Sequence, residues 1–422
     1  MYYLVFILMF FASVAFFNPH QMFSESLAKA IFLLITVAAF VLAITDRRYP
    51  MCHKNYPQGA YWLMLTFIGI SPVMAGVFHG QELSYSIITV LPFFCGYLWF
   101  FILWRYGLSE KQVMRVILVG CAIAVPLFIL NLRAFPNTAF GFENIYGDSE
   151  ERGMLRIQVF FIELFPLVLC YAISRWQMTR KWYWIVVALV AVTMITVSLI
   201  RQIILVSFAL AFIMLLRPMT WSKRIIAIVI IGAAAVVVVP RISIFKSLSE
   251  VSEVQKDLND RSDEGEDIRV QAWRYYIYQY QPSVATMILG NGVPSLGKTH
   301  YGVTYLNDMN ASKCVESDVG WAGFFFFFGG ISTVALFIWM LRTVMMPKPK
   351  ERSYVSYGIL FVMITAVASG PILYYNQIFA VCVMMYLAYA PSRRHAEDMP
   401  ELAPAEADAG NLNEKLADED AK

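Results

Sequence analysis

Twelve apolar runs, most of them close to 20 residues long, constrain this chain more than any motif in it. Inside a bilayer every backbone N–H and C=O must be satisfied within the spanning structure, and runs of this length match a helix crossing about 30 Å of hydrocarbon. They cover residues 2–17, 27–45, 60–78, 85–104, 113–131, 154–174, 182–199, 203–216, 225–239, 319–341, 354–370 and 372–390. The expected fold is an all-α polytopic membrane protein with about 12 transmembrane helices. Apolar residues are 59% of the 422 and charged residues 15%, which excludes an ordinary soluble domain. A net charge of +3, dispersed along the chain, provides no patch for nucleic acid.

The basic residues give the orientation. Arg47, Arg48 and Lys54, then Arg105 and Lys111, Arg175, Arg180 and Lys181, Arg217, Lys223 and Arg224, and Lys348, Lys350 and Arg352 fall in alternate connections. The opposite connections near 18–26, 79–84 and 371–376 contain no Lys or Arg. The basic connections and both termini are therefore expected in the cytoplasm, with the chain multi-pass. Residues 1–17 lack the basic n-region and small-residue cleavage site of a signal peptide and read as a retained first helix. Of the six cysteines, at 52, 95, 121, 170, 314 and 382, only Cys314 is expected on the outer side, so no intramolecular disulfide framework is available there. Residues 1–390 form one membrane domain. Residues 391–422, rich in Ala, Glu and Asp, are expected to be a disordered cytoplasmic tail.

Three outer segments depart from this plainness. Residues 132–153 carry Asp148, Glu150, Glu151 and Arg152 and lead into a run holding Arg156 and Glu163. On one continuous helix Arg152, Arg156 and Glu163 share a face, and Pro166 frees the carbonyl of Ile162. Each such charge costs about 2.5–3.5 kcal/mol at the centre of a lone membrane helix, so they should face a protein-lined cavity. An Arg–Glu pair locking two helices and a substrate site both fit. The second segment is Ser198-Leu-Ile-Arg201-Gln202, wedged between two apolar runs. An arginine there either snorkels or serves a ligand.

The third segment, residues 240–318, is the only long polar interval. Residues 242–258 have the spacing of an amphipathic helix lying on the membrane surface. Downstream, Arg269, Trp273, Tyr276 and Tyr280 share a helical face while Arg274 points elsewhere. Arginine beside aromatics suits a pyrophosphate or sugar, since guanidinium bonds oxyanions bidentately and an aromatic face supports a pyranose; aromatics resting at the membrane interface are the plainer reading. Gly290-Asn291-Gly292 is a turn whose glycines permit close backbone approach, and a loop with Lys298, His300 and Asp308 follows. His300 is the only histidine in that interval and is a candidate base, but no second His or Cys at ligand spacing accompanies it, so no zinc site is expected. Glu316 and Asp318 stand at the boundary between water and membrane, as bases or, for Asp318, as a helix cap.

Ser198 to Arg201, Arg269-x-x-x-Trp273 with Gly290-Asn291-Gly292, and Asp318-Val-Gly320-Trp-Ala-Gly323 together resemble the O-antigen polymerase and ligase (Wzy-type) membrane family, by motif over residues 190–345 and by topology over the whole chain. The resemblance implies transfer of glycans from an undecaprenyl-diphosphate carrier at the periplasmic face, with arginines holding the diphosphate and neither a nucleotide sugar nor a cofactor or metal. Ligases of the family resemble His-Asn, or His followed by Ser or Gln, then nine residues and Gly-x-x-Gly. In that register Met309-Asn310 stands here, so the polymerase branch is favoured.

The expected reaction joins lipid-linked repeats into O-antigen, capsular or exopolysaccharide. A terminal sugar hydroxyl of one unit attacks the anomeric carbon of another and inverts it. Arg201 and Arg269 are the expected diphosphate ligands, with Arg274 and Arg156 secondary; Trp273, Tyr276 and Tyr280 line the sugar; Asp318, Glu316 or His300 takes the proton. Membrane lipid and a chain-length regulator are the expected partners. A ligase acting on lipid A core or protein is the neighbouring alternative. A flippase is the alternative from another class, although the two halves show no repeat. A mannosyltransferase-like enzyme with acid chemistry in the first outer connection has only Glu25 to work with.

Overall fold

The computed structural model of the chain describes residues 1–13, 18, 24–45, 58–134, 137, 139–141, 159–222, 224–225 and 267–390. Arg152 and Arg156, residues 226–239, the amphipathic stretch 242–258 and the tail lie outside the described residues. Within them all regular structure is helical: α1 Tyr2–Ala12, α2 Glu25–Thr45, α3 Gln58–His79, α4 Leu83–Tyr106, α5 Glu110–Ala134, α6 Phe165–Thr179, α7 Tyr183–Val197, α8 Arg201–Leu216, α9 Ile268–Arg274, α10 Val284–Leu289, α11 His300–Ser312, α12 Gly320–Met345, α13 Ser353–Thr365 and α14 Tyr375–Tyr389. Helices α2, α3, α4, α5 and α12 are long and apolar enough to cross a membrane; α1, α7, α8 and α14 are shorter apolar helices. This is an all-α membrane protein.

Successive long helices reverse direction, so their tips collect at two ends. The basic end holds Arg105, Arg175, Arg180, Arg217, Lys348 and Arg352; the loop end holds α9, α10, α11 and the tips near residues 79–83, 159–165, 197–201 and 365–375. Helix α12 packs on α3, α4 packs on α14, and α6 packs on α7, α8 and α13. Trp99, Trp339, Tyr61 and Tyr97 are fully buried. Such rings are amphipathic, and a buried polar tip needs a partner. Trp99 Nε1 donates to Thr36 Oγ1 at 2.9 Å, Tyr61 to Tyr97 O at 3.1 Å, and Tyr97 to Ile372 O at 3.0 Å.

A polar clamp closes the basic end. Glu110, at the start of α5, accepts Arg352 Nε at 2.9 Å, Arg175 at 3.3 Å and the Tyr354 hydroxyl at 3.0 Å. It ties α5 to α6 and α13. Lys348 folds back onto the carbonyls that end α12, those of Thr343, Val344 and Met346, as a cation at a helix C-terminus should.

Two local expectations are corrected. Pro72, Pro92 and Pro126 lie inside α3, α4 and α5, which run on past them. The break falls instead at Gly329 in α12 (φ 79°, ψ 171°), a conformation open essentially to glycine alone. Likewise, α6 starts only at Phe165: Phe161 is left-handed (φ 58°) and residues 162–164 form a 3-10 turn. Glu163 is therefore not on a continuous helix face with Arg152 and Arg156. Pro166 sits in the first turn, where its missing N–H costs nothing.

Candidate functional site

Arg201 is the first residue of α8. The turn before it is held by Ser198, whose hydroxyl donates to Ile195 O at 2.7 Å and accepts Ile200 N at 3.4 Å, with Leu199 left-handed at φ 55°. Ile200 occupies the N-cap and no side chain caps the helix. The first amides of a 16-residue helix thus lack a side-chain cap, and an exposed guanidinium stands at the same end. A cation at the positive end of a helix is unfavourable by about 0.3–1 kcal/mol, so Arg201 is not there to stabilise α8. Free amides, a helix dipole and a guanidinium at one spot are anion-binding chemistry.

The aromatic helix differs from its expected single face. Asp267 caps α9 by accepting Arg269 N at 2.8 Å, and Arg269 and Arg274 are exposed. At Tyr275–Gln279 the helix widens into a π turn, which rotates Tyr280 away from the α-helical register. Trp273 donates its indole N–H to Val367 O at 2.8 Å, just beyond α13. Tyr276 is wholly buried, its hydroxyl 2.8 Å from Cys314 O and 3.0 Å from Tyr305 Oη. It is removed from the sugar-binding set, because a side chain with no exposure supports no pyranose. Tyr280 is half-buried, packed edge-on to Tyr305 and Phe326, and burial with Asp308 nearby pushes its hydroxyl up to about 12.

The Gly290-Asn291-Gly292 turn is built for another backbone. Asn291 N and Gly292 N donate to Phe326 O and Phe327 O, at 2.9 and 3.0 Å, on the turn entering the Gly329 break. A Cβ on Gly290 would stand 2.5 Å from Phe327 O, and one on Gly329 2.3 Å from Ile288 O. The close approach that the glycines permit is to the backbone of α12.

Around this turn lies a polar knot the sequence did not announce. Gln81, 3% exposed, donates to Val293 O and Ser86 Oγ and accepts Ser295 N and Thr299 Oγ1, all within 3.0 Å. His79 lies flat on Tyr301, centroids 3.9 Å apart, and its Nε2 is 3.0 Å from Asn291 Oδ1. The signal available in the sequence was a cluster of polar residues, His79, Gln81 and Glu82, in an otherwise plain connection.

The candidate bases separate. His300 and Asp308 lie on α11, not in a loop, and His300 is exposed at its start, where Thr299 is the cap. Glu316 accepts the Tyr305 hydroxyl at 2.8 Å. Asp318 is exposed and does not cap α12, whose N-cap is Val319 with no side-chain bond. Burial, with the neighbouring Glu316 second, raises the Tyr305 and Tyr276 hydroxyls, so both remain hydrogen-bond donors near neutrality. Glu25 is engaged by Lys29 at 2.7 Å.

The loop end of α13 is the meeting point: α8 packs along this helix, and Trp273 bonds to the residue chain just past it. Gly320 and Trp321 donate to Ser369 O and Ala366 O there, each at 3.0 Å, and a Cβ on Gly320 would stand 2.3 Å from Ser369 O. Helix α8 and the Trp273 helix thus both meet α13 or the residues just past it, although no described contact joins Arg201 to Arg269. Arg156 lies outside the described residues. Comparison with protein-family models finds no match, and comparison with curated proteins finds none.

Proposed function

We propose that this membrane protein is a glycosyltransferase that polymerises undecaprenyl-diphosphate-linked oligosaccharide repeats at the periplasmic face of a bacterial inner membrane. In this reading the chain spans the membrane 12 times, the loop end faces the periplasm, and both termini are cytoplasmic. The observation that carries it is the uncapped start of α8 with Arg201 exposed upon it. Leaving-group charge develops on the diphosphate as the glycosidic bond breaks, and fixed donors at that point stabilise the transition state more than the ground state. Arg269, exposed on the helix that Trp273 anchors at the same end, is the second cation. Trp273 and Tyr280 remain the aromatic surfaces for sugar. A carboxylate or His300 takes the proton of the attacking hydroxyl, and no nucleotide sugar or cofactor is called for by the family that the motifs resemble.

Deleting the gene separates polymerisation from its neighbours. Polymerase loss leaves surface glycan of single repeats. Accumulation of full-length lipid-linked polymer in the deletion strain identifies a ligase instead, and unchanged glycan on both lipid and surface contradicts the proposal.

A further inference from the structure

Among the described carboxylates of the loop end, Glu163 stands apart. It sits in the 3-10 turn before α6, its Oε1 accepts Gln377 Nε2 at 2.6 Å, and Gln377 is in the first turn of α14. Among the described residues only Gln377 and the backbone N–H of Glu163 itself bond the carboxyl. Gln377 Oε1 is itself buried without a partner, which leaves an acceptor beside the carboxyl for a ligand's hydroxyl to meet. Phe161, two residues upstream, is a bulky residue held left-handed, the kind of strain that persists where the surroundings fix a side chain in place. Helices α6, α8 and α13 are mutually packed and the Glu163 turn touches α14, so Glu163 lies at the loop end of the bundle, the end that also holds Arg201.

We infer that Glu163 is the general base that takes the proton from the acceptor sugar hydroxyl. This rests on the glycosyl-transfer reading and names its proton acceptor in place of Asp318, Glu316 and His300. In the step, the hydroxyl oxygen forms its bond to the anomeric carbon as its proton passes to the carboxylate. The bond from that carbon to the carrier's phosphate oxygen breaks, and its electron pair leaves with the diphosphate. Solvent then takes the proton from Glu163. Gln377 positions the carboxylate by holding one of its oxygens.

The titration of the carboxyl fits that role. Burial pushes it up from the ordinary range to about 7, and the turn's own backbone N–H and the Gln377 amide act in the opposite direction. Helices α6 and α14, packed against the turn, carry Cys170, Tyr171, Arg175, Tyr375, Cys382, Tyr386 and Tyr389, and none of them shifts the Glu163 carboxyl. A base whose proton affinity lies near the working pH transfers protons most effectively.

The test uses full-length protein in lipid with a synthetic undecaprenyl-diphosphate oligosaccharide as donor and acceptor, turnover being followed from pH 5 to 9. Wild-type turnover should rise with an acid limb near pH 7. Glu163→Gln should lower kcat on the order of 10²–10⁴-fold, keep KM for the donor, and lose that limb. Glu163→Asp, which keeps a carboxylate, should retain measurable turnover with a displaced limb, and it decides the matter if the Gln variant does not fold. Wild-type transfer with an unchanged profile in both variants overturns this inference alone. No transfer by the wild-type protein overturns the glycosyl-transfer reading, and this inference with it.

Discussion

His79 Nε2 donates to Asn291 Oδ1, and the direction of that bond follows from two carbonyls that can only accept. Gln281 Nε2 reaches Tyr276 O at 2.8 Å and Asn291 Nδ2 reaches Phe326 O at 3.3 Å and Gln281 Oε1 at 3.0 Å. Asn291 Oδ1 is thereby left to accept, so the imidazole is the Nε2–H tautomer. The pair joins the end of α3 to the late loop. Replacing Asn291 with Ala strands both His79 Nε2 and Gln281 Oε1, and each stranded group costs roughly 1–3 kcal/mol. The expected result is a lower unfolding temperature in detergent for Asn291→Ala, with His79→Ala alone milder because it strands only Asn291 Oδ1.

At the opposite end, Glu110 receives two arginines and a tyrosine. Arg352 is 8% exposed. Removing the carboxylate leaves the buried Arg352 guanidinium without its counter-charge, a loss of up to about 3–5 kcal/mol. Glu110→Ala should reduce the folded, extractable protein sharply, and Glu110→Gln, which still accepts hydrogen bonds, should recover part of it. Turnover per folded molecule should be unchanged, since the clamp is a full helix length from Arg201.

Glu163 also predicts how stability varies with pH. Its folded carboxyl is raised from 4.5 to about 7. Between those values the folded protein holds a proton that the unfolded chain has released, so this group's contribution is complete below pH 4.5 and fades as pH rises through 7. Discounted for the part of the side chain that meets solvent, the change is on the order of 2 kcal/mol. Thermal unfolding of wild type and Glu163→Gln should follow parallel pH dependences below 4.5 and above about 7 and differ in slope between those values.

Periodicity and length carried most of the fold. The runs at 60–78 and 85–104 became α3 and α4 with ends one or two residues further out, and the alternation of basic residues became one end of the bundle. The break at Gly329 was hidden, because five phenylalanines before it read as one apolar helix while the cause lies in a loop 38 residues earlier in sequence. The candidate site was visible where a single residue contradicts its surroundings. Arg201 is such a residue, the cation in a turn whose counterparts avoid cations. Tyr276 was misjudged because helical spacing does not reveal which face packs, nor that the helix widens at Tyr275. Gln377 could not be found, since nothing in Tyr375-Asn-Gln shows that a turn two hundred residues away supplies its partner.

Arg201 carries the central claim, and chain length made by the purified protein measures it most directly. Wild-type protein given the synthetic lipid-diphosphate oligosaccharide should produce a ladder of polymers; Arg201→Ala should lower the rate about 10²-fold or more, and Arg201→Lys should restore only part of it, since a point charge replaces a fork. A ladder from Arg201→Ala equal to that of the wild type would contradict the account.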